Sequence, residues 1–179
     1  MVAQLLLETG HKRIAFLAGL EQSSTNVERE RGFSDMLGAA GVAIYRRGVG
    51  NYSAEGAKRA TRAMFSETNP ARPPDAVFVA NDHMAMAAMD VLRIELGLRI
   101  PQDVSVVGFD DVPQAAWGSY QLTTVTQSVE DMVGATVELL NQQMQGEAAT
   151  KTAFVMPSKH IKVACKLVQR QSVRAISVN

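Results

Sequence analysis

The sequence predicts an α/β fold built on a doubly wound parallel sheet with helices on both faces. Three observations carry that reading. Short apolar runs, Ile14–Gly19, Ala76–Ala80 and Val104–Phe109, alternate with longer segments of helical periodicity. These runs are apolar throughout, the pattern of strands buried on both faces. The stretch Asp75–Asp111 reads as strand, helix and strand with short connections, so its two strands should lie parallel.

Taken in order, residues 2–9 read as a helix stopped by Gly10. An α/β domain commonly opens on a strand, so a further segment is expected upstream. Ile14–Gly19 is the first strand. Ser23-Ser24-Thr25-Asn26 offers several N-caps for a helix to about Ala40, with Phe33, Met36, Leu37 and Ala40 at apolar spacing. Gly41 stops it, and Val42–Tyr45 is expected as the second strand. Gly48–Ser53 is expected as a loop, with Ser53 opening a helix to about Phe65. Asn69–Pro74 is a turn segment. Pro73-Pro74-Asp75 leads into the third strand, Asn81 and Asp82 offer N-caps, and a helix runs from about His83 to Leu96, closed by Gly97. The fourth strand ends at Asp110-Asp111. Leu122–Thr126 is β-branched and reads as a strand. A helix then runs from about Val129 to Met144, with Met132, Val133, Thr136, Leu139, Leu140 and Gln143 as its packed stripe. Residues 153–156 and 161–168 are read as further strands.

Composition narrows the function classes. The chain has 179 residues, of which 46% are apolar, and Lys+Arg and Asp+Glu number 18 each, for a formal net charge of zero. Such a balance gives no electrostatic case for nucleic acid or an anionic membrane. One cysteine, Cys165, excludes an internal disulfide and fits a reducing compartment. No apolar run approaches the roughly 20 residues of a membrane span. The N-terminus meets Glu8 without a basic leader, so it reads as helix rather than signal peptide.

Motifs for catalysis and cofactors do not assemble. Gly48-Val49-Gly50 lacks the third small residue of a dinucleotide fingerprint, because Ser53 stands there. His11, His83 and His160 have no ligand spacing, and no serine or cysteine sits in a nucleophile elbow. No catalytic residue, metal or cofactor is expected. What remains is a set of polar groups at strand ends: Arg29 on the helix after the first strand, Tyr52 after the second, Asn81 and Asp110 after the third and fourth, and Gln127 after Leu122–Thr126. Ligands of open parallel sheets bind at the carboxyl ends of strands. A carboxylate, an amide, a guanidinium fork and an aromatic ring suit a polyhydroxyl ligand. Each residue also has a plain structural reading. Asn81 is a helix cap, Asp110 a turn residue, Arg29 a solvated helix charge, Gln127 a cap for the next helix and Tyr52 a loop cover. Trp117 is read as packing, and Met84, Met86 and Met89 as core or interface.

Five segments together resemble one family. They are Thr9-Gly10-His11-Lys12-Arg13-Ile14-Ala15-Phe16-Leu17-Ala18-Gly19, Arg29-Glu30-Arg31-Gly32-Phe33, Val79-Ala80-Asn81-Asp82-His83-Met84-Ala85, Pro101–Asp111 and Leu122–Gln127. Their order and spacing, over residues 4–147, resemble the effector-binding part of the lactose-repressor/galactose-repressor (LacI/GalR) family of transcriptional regulators. The resemblance implies a type I periplasmic-binding-protein-like fold, with the C-terminal subdomain and part of the N-terminal one present. Residues 1–127 would be the C-terminal effector-binding subdomain. Residues 128–147 would be a helix that packs on the N-terminal subdomain, and residues 148–179 the crossover strands and tail. Family effector contacts map onto Arg29, Asn81 and Asp110, and less directly onto Gln127 and Tyr52. The tail departs from the family pattern, in which a proline is closely followed by a strand ending Arg-x-Ser/Thr; here a longer segment separates Pro157 from Arg170-Gln171-Ser172.

The implied parent is a cytoplasmic homodimer that binds a sugar or related metabolite and responds allosterically. It would reach operator DNA through a helix-turn-helix that does not precede Met1 here. The helix 83–96 offers Ala85, Ala88, Met89 and Leu92 to the sheet, and its second face, Met84, Ala87 and Val91, is expected at a subunit interface. Two rival readings are a periplasmic sugar-binding protein of a transport system, which would need a secretory leader, and an α/β enzyme, which would need turnover of a sugar.

Overall fold

A computed structural model describes residues 1–66, 72–147 and 161–175. The chain divides into two compact units, Met1–Val125 with Leu167–Asn179, and Thr126–Lys166.

In the first unit, helix α1 (Val2–Glu8) leads into β1 (Ile14–Ala18), α2 (Ser24–Ala39), β2 (Arg46–Val49), α3 (Ala54–Phe65), β3 (Ala76–Val79), α4 (Asp82–Asp90) and β4 (Ser105–Val107). The α4 helix continues as a π-helical turn over Val91–Glu95, and Gly97 follows with φ +64°. The strands are parallel in the order β2-β1-β3-β4. The chain therefore moves outward from β1 to β2, then crosses back over β1 to β3. That reversal places the connecting helices on opposite faces and opens a crevice between the carboxyl ends of β1 and β3. The doubly wound α/β architecture expected from the sequence is present.

The core follows from the apolar runs. Every residue of β1, β3 and β4 is buried. On one face Phe16 of β1 and its register partner Phe78 of β3 meet Phe33 of α2, with ring centroids 4.9 to 5.9 Å apart. On the other face Gly48 of β2 is closely approached by Leu17 of β1 and by Ala60 and Met64 of α3, tying the sheet to that helix.

Two expectations shift. The second strand is Arg46–Val49, not Val42–Tyr45, so Gly48 and Val49 belong to a strand and not to a loop. As an edge strand β2 has one side open, and its residues are only partly buried or exposed. Charge on an edge blocks pairing with other chains, which explains a strand that reads as polar. The second face of α4 is also not free. Met84 and Val91 are fully buried and Ala87 nearly so. A Cβ on Gly50 would come within 2.5 Å of the Met84 sulfur, so this face packs inside the chain rather than against another subunit.

The amino ends of the strands carry a buried histidine network. The His11 Nδ1 lies 2.8 Å from the Thr9 hydroxyl and 3.0 Å from the Leu6 carbonyl oxygen, and its Nε2 lies 2.8 Å from Ser105 Oγ. Burial pushes the His11 pKa below its usual value and the Arg174 charge adds to this, while the Leu6 carbonyl and Asp75 oppose. The unfolded chain takes up a proton near pH 6.5 and the folded chain does not, so this contribution is present above that pH and lost below it. The urea midpoint is expected to fall between about pH 7.5 and about pH 5.5. His11→Gln should flatten that dependence; an equal slope in the variant contradicts the assignment.

In the second unit α5 (Val129–Glu147) carries Val129, Val133, Val137, Leu140 and Met144, each at least half exposed. Of the expected stripe, Val133, Thr136 and Leu140 are exposed and Met132 and Leu139 are half-buried; Gln143 lies outside the residues whose side chains are described. Strand β5 (Thr124–Gln127) and strand β6 (Cys165–Val168) form a two-stranded sheet. Of the predicted 161–168 strand only this last part forms, and 153–156 lies outside the described residues. Part of the predicted turn at 69–74 does as well. Trp117, read as packing, is 56% exposed beside a short 3-10 turn, Pro113–Ala116. No helix among the described residues is long and apolar enough to cross a membrane.

Candidate functional site

The site is built from the carboxyl ends of β1, β3 and β4. At the end of β1 the Gly19 N–H donates to Oδ1 of the buried Asn26, 2.7 Å away, which fixes the first turns of α2 against the strand. Arg29 stands one helical turn beyond Asn26 on the same face. Its Nη1 donates to the Ala80 carbonyl oxygen at 2.6 Å, at the end of β3. Its guanidinium lies 3.7 Å from the centroid of the Phe109 ring, and its Nη2 lies 3.7 Å from Asp110 Oδ1. Arg29 is therefore not a solvated helix charge; it spans the crevice from β1 to β3 and β4.

Asp110 follows β4 and its N–H donates to the Val125 carbonyl oxygen at 2.8 Å. The 3.7 Å separation from Arg29 is an ion pair and too long for a direct hydrogen bond. Both groups thus keep hydrogen-bonding capacity for a third partner. The Asp110 side chain is 40% exposed, against 16% for Arg29. Burial pushes the Asp110 pKa above its usual value, Arg29 pulls it down, and neighbouring Asp82 pushes it up again.

Asn81 takes its cap role in full. Its Oδ1 accepts the Met84 N–H at 3.0 Å, leaving the amide NH2 as the group available to a ligand. Capping and ligand contact use different atoms of the one side chain, so the two readings coexist. Tyr52, with φ +53°, lays its ring on Gly19 so closely that a Cβ there would fall 2.1 Å from the ring. Its buried hydroxyl has no hydrogen-bond partner among the described residues. Gln127 ends β5 and belongs to the second unit. The structure thus gathers Arg29 and Asp110 directly, and sets Asn81 and Tyr52 at the ends of β3 and β1.

Three residues escaped the sequence reading. Phe109 looked like strand core, yet its ring is the platform for Arg29. Asp82 looked like a spare cap, yet it is fully buried, with Oδ1 accepting from the Thr124 hydroxyl at 2.6 Å and Oδ2 from the Val112 N–H at 3.0 Å. Burial raises its pKa, opposed by those hydrogen bonds. Gly108 makes room for it, because a Cβ there would meet Asp82 Oδ1 at 2.1 Å. Arg170 is the third, and its partner Asp111 lies far away in sequence. Among the described residues no cluster of His, Cys, Asp or Glu has the geometry to hold a metal.

Residues 3–173 match the family model described as a periplasmic binding protein-like domain. The transcriptional regulator CelR of Thermobifida fusca is 37% identical over 162 residues, which are 89% of this chain and 46% of that protein. A lac repressor dimer bound to operator and the anti-inducer ONPF superposes with a TM-score of 0.82 at 32% identity, covering 97% of this chain and 57% of that one. A complex of the regulator CelR with cellobiose superposes with a TM-score of 0.80 at 34% identity, covering 95% of this chain and 49% of that one. The chain spans about half the length of the curated relatives it matches. These relatives are transcriptional regulators. The chain belongs to the periplasmic binding protein-like domain family, as a homologue of the LacI/GalR transcriptional regulators.

Proposed function

We propose that this chain is the effector-binding portion of a LacI-type regulator and supplies one wall of an effector cleft. The observation that carries the reading is the Arg29, Ala80, Phe109 and Asp110 constellation at the switch point between β1 and β3. Asp110 accepts ligand hydroxyl protons, the Arg29 fork donates to ligand oxygens, and the Asn81 amide donates beside them. Tyr52 completes the contact set proposed within the first unit, and Gln127 of the second unit is proposed as an effector contact on the family resemblance alone. A sugar or sugar acid presents the matching pattern of vicinal oxygens. The CelR–cellobiose complex makes a disaccharide a reasonable first ligand.

In this reading the protein is not an enzyme and works in the cytoplasm as a homodimer. Effector binding shifts the equilibrium between two arrangements of the cleft and so changes how paired DNA-binding heads meet an operator. DNA contact belongs to a helix-turn-helix outside this chain. The kinship with regulators favours this reading over a transport protein.

A thermal-shift screen of sugars, sugar acids and purines tests it. A saturable rise in Tm with a sugar or sugar acid is expected. Turnover of any of these compounds, or stabilisation by none of them, contradicts the proposal.

A further inference from the structure

The Asp110–Asp111 turn holds two consecutive non-glycine residues at positive φ, +121° and +58°. Side chains disfavour that region, so a turn of this kind persists only where its surroundings impose it. Two restraints are in place. From inside, the buried Asp82 carboxylate takes the Val112 N–H, and the Asp82 N–H donates to the Phe109 carbonyl oxygen at 2.8 Å. From outside, Arg170 reaches in from the C-terminal segment. Its Nη2 donates to Asp111 Oδ1 at 2.7 Å and its Nη1 to the Leu122 carbonyl oxygen at 2.8 Å, while its own N–H donates to Thr123 Oγ1 at 2.9 Å. Both side chains of the pair are mostly buried, 16% and 22% exposed.

We propose that Arg170 is a positioning residue for the effector site. The Arg170–Asp111 pair holds Asp111 in the left-handed region and thereby fixes the direction of the adjacent Asp110 carboxylate. One peptide plane joins the two aspartates. Relief at Asp111 would let the adjoining Asp110, itself held at φ +121°, relax in turn and shift its carboxylate relative to Arg29.

The same segment is docked by further bonds. The Ser172 hydroxyl donates to the Val106 carbonyl oxygen at 2.6 Å and accepts the Thr123 N–H at 2.8 Å. Arg174 Nε donates to the Thr9 carbonyl oxygen at 3.0 Å. Docking of the C-terminal segment and effector affinity are therefore linked, each favouring the other. This inference rests on Asp110 being an effector contact.

The test uses the chain as it stands, with cellobiose and the sugars of the thermal-shift screen as probes. Arg170→Met removes the fork, Arg170→Lys keeps the charge and guards against a variant that fails to fold, and Arg170→Met with Asp111→Gly supplies a residue that accepts positive φ without restraint. Two readouts are taken: the HN–Hα coupling and Cα shifts of residues 110 and 111 by NMR, and sugar affinity. In Arg170→Met the turn signals should move toward right-handed values and affinity should fall about tenfold, a change of about 1.4 kcal/mol. Arg170→Lys should lie between, and Asp111→Gly in the Arg170→Met background should restore most of the affinity. A merely structural role for Arg170 would leave that rescue absent. Unmoved turn signals in Arg170→Met, unchanged affinity, or no rescue by glycine overturns the inference. If the unmodified chain binds no sugar, the site reading has failed instead, and the NMR signals still decide whether Arg170 holds the turn.

Discussion

Replacing Arg29 with methionine should lower sugar affinity about a hundredfold, which is about 2.7 kcal/mol. The methionine stem keeps much of the packing on Phe109 while the fork is lost. Three things go at once: the donor to a ligand oxygen, the hydrogen bond to the Ala80 carbonyl, and the charge facing Asp110. Asp110→Asn is isosteric and should cost less, about tenfold, because it turns one acceptor into a donor and leaves the shape intact. Titration calorimetry on the unmodified chain and both variants checks the order. Equal affinities for all three would remove the crevice between β1 and β3 from the account.

The second large effect concerns the core. Phe16→Ala should destabilise the chain by about 3–5 kcal/mol, read from urea unfolding. Phe16 is fully buried and touches both Phe33 and Phe78, so deletion removes the ring that joins α2 to the two central strands. Phe33→Leu should cost less, since a leucine fills much of the same space from the helix side. The site depends on this cluster, because α2 carries Arg29 one turn before Phe33. A Phe16→Ala variant that remains folded should therefore also bind sugar more weakly. Loss of less than about 1 kcal/mol would mean that the cluster is not the packing centre.

Much of this was legible in the sequence, and the reason is physical. Strands buried on both faces are written as unbroken apolar runs, and Ile14–Ala18, Ala76–Val79 and Ser105–Val107 appear where those runs stand. Caps and stops were equally plain: Ser53 accepts the Gly56 N–H, Asn81 accepts the Met84 N–H, and Gly97 sits at positive φ. Strand β2 was missed because an edge strand is half solvated and carries Arg46 and Arg47, which erase the apolar signal. Val42–Tyr45 attracted the assignment by composition alone. The second face of α4 was misjudged because apolarity records burial without saying what buries it; here Met84 meets Gly50 inside the chain.

The candidate site divides the same way. Arg29, Asn81 and Asp110 announced themselves by standing at strand ends and helix starts, which are local properties. Phe109 did not, because a ring that serves as a platform has the same letter as one that fills a core. Arg170 reaches Asp111 across 59 residues, a separation over which no local pattern operates. Of the exposed apolar side chains of α5, Val133 and Leu140 stood in the expected stripe, while Val129, Val137 and Met144 did not.

A residue-resolved NMR titration of the isotope-labelled chain with cellobiose and the best sugar of the screen tests whether the crevice between β1 and β3 binds the effector. Saturable shifts are expected, confined to the carboxyl ends of the strands, at Gly19, Tyr52, Asn81, Phe109, Asp110 and Asp111. Shifts centred instead on the amino ends, at Arg13, Asp75 and Ser105, or no saturable shifts with any sugar, would contradict binding there.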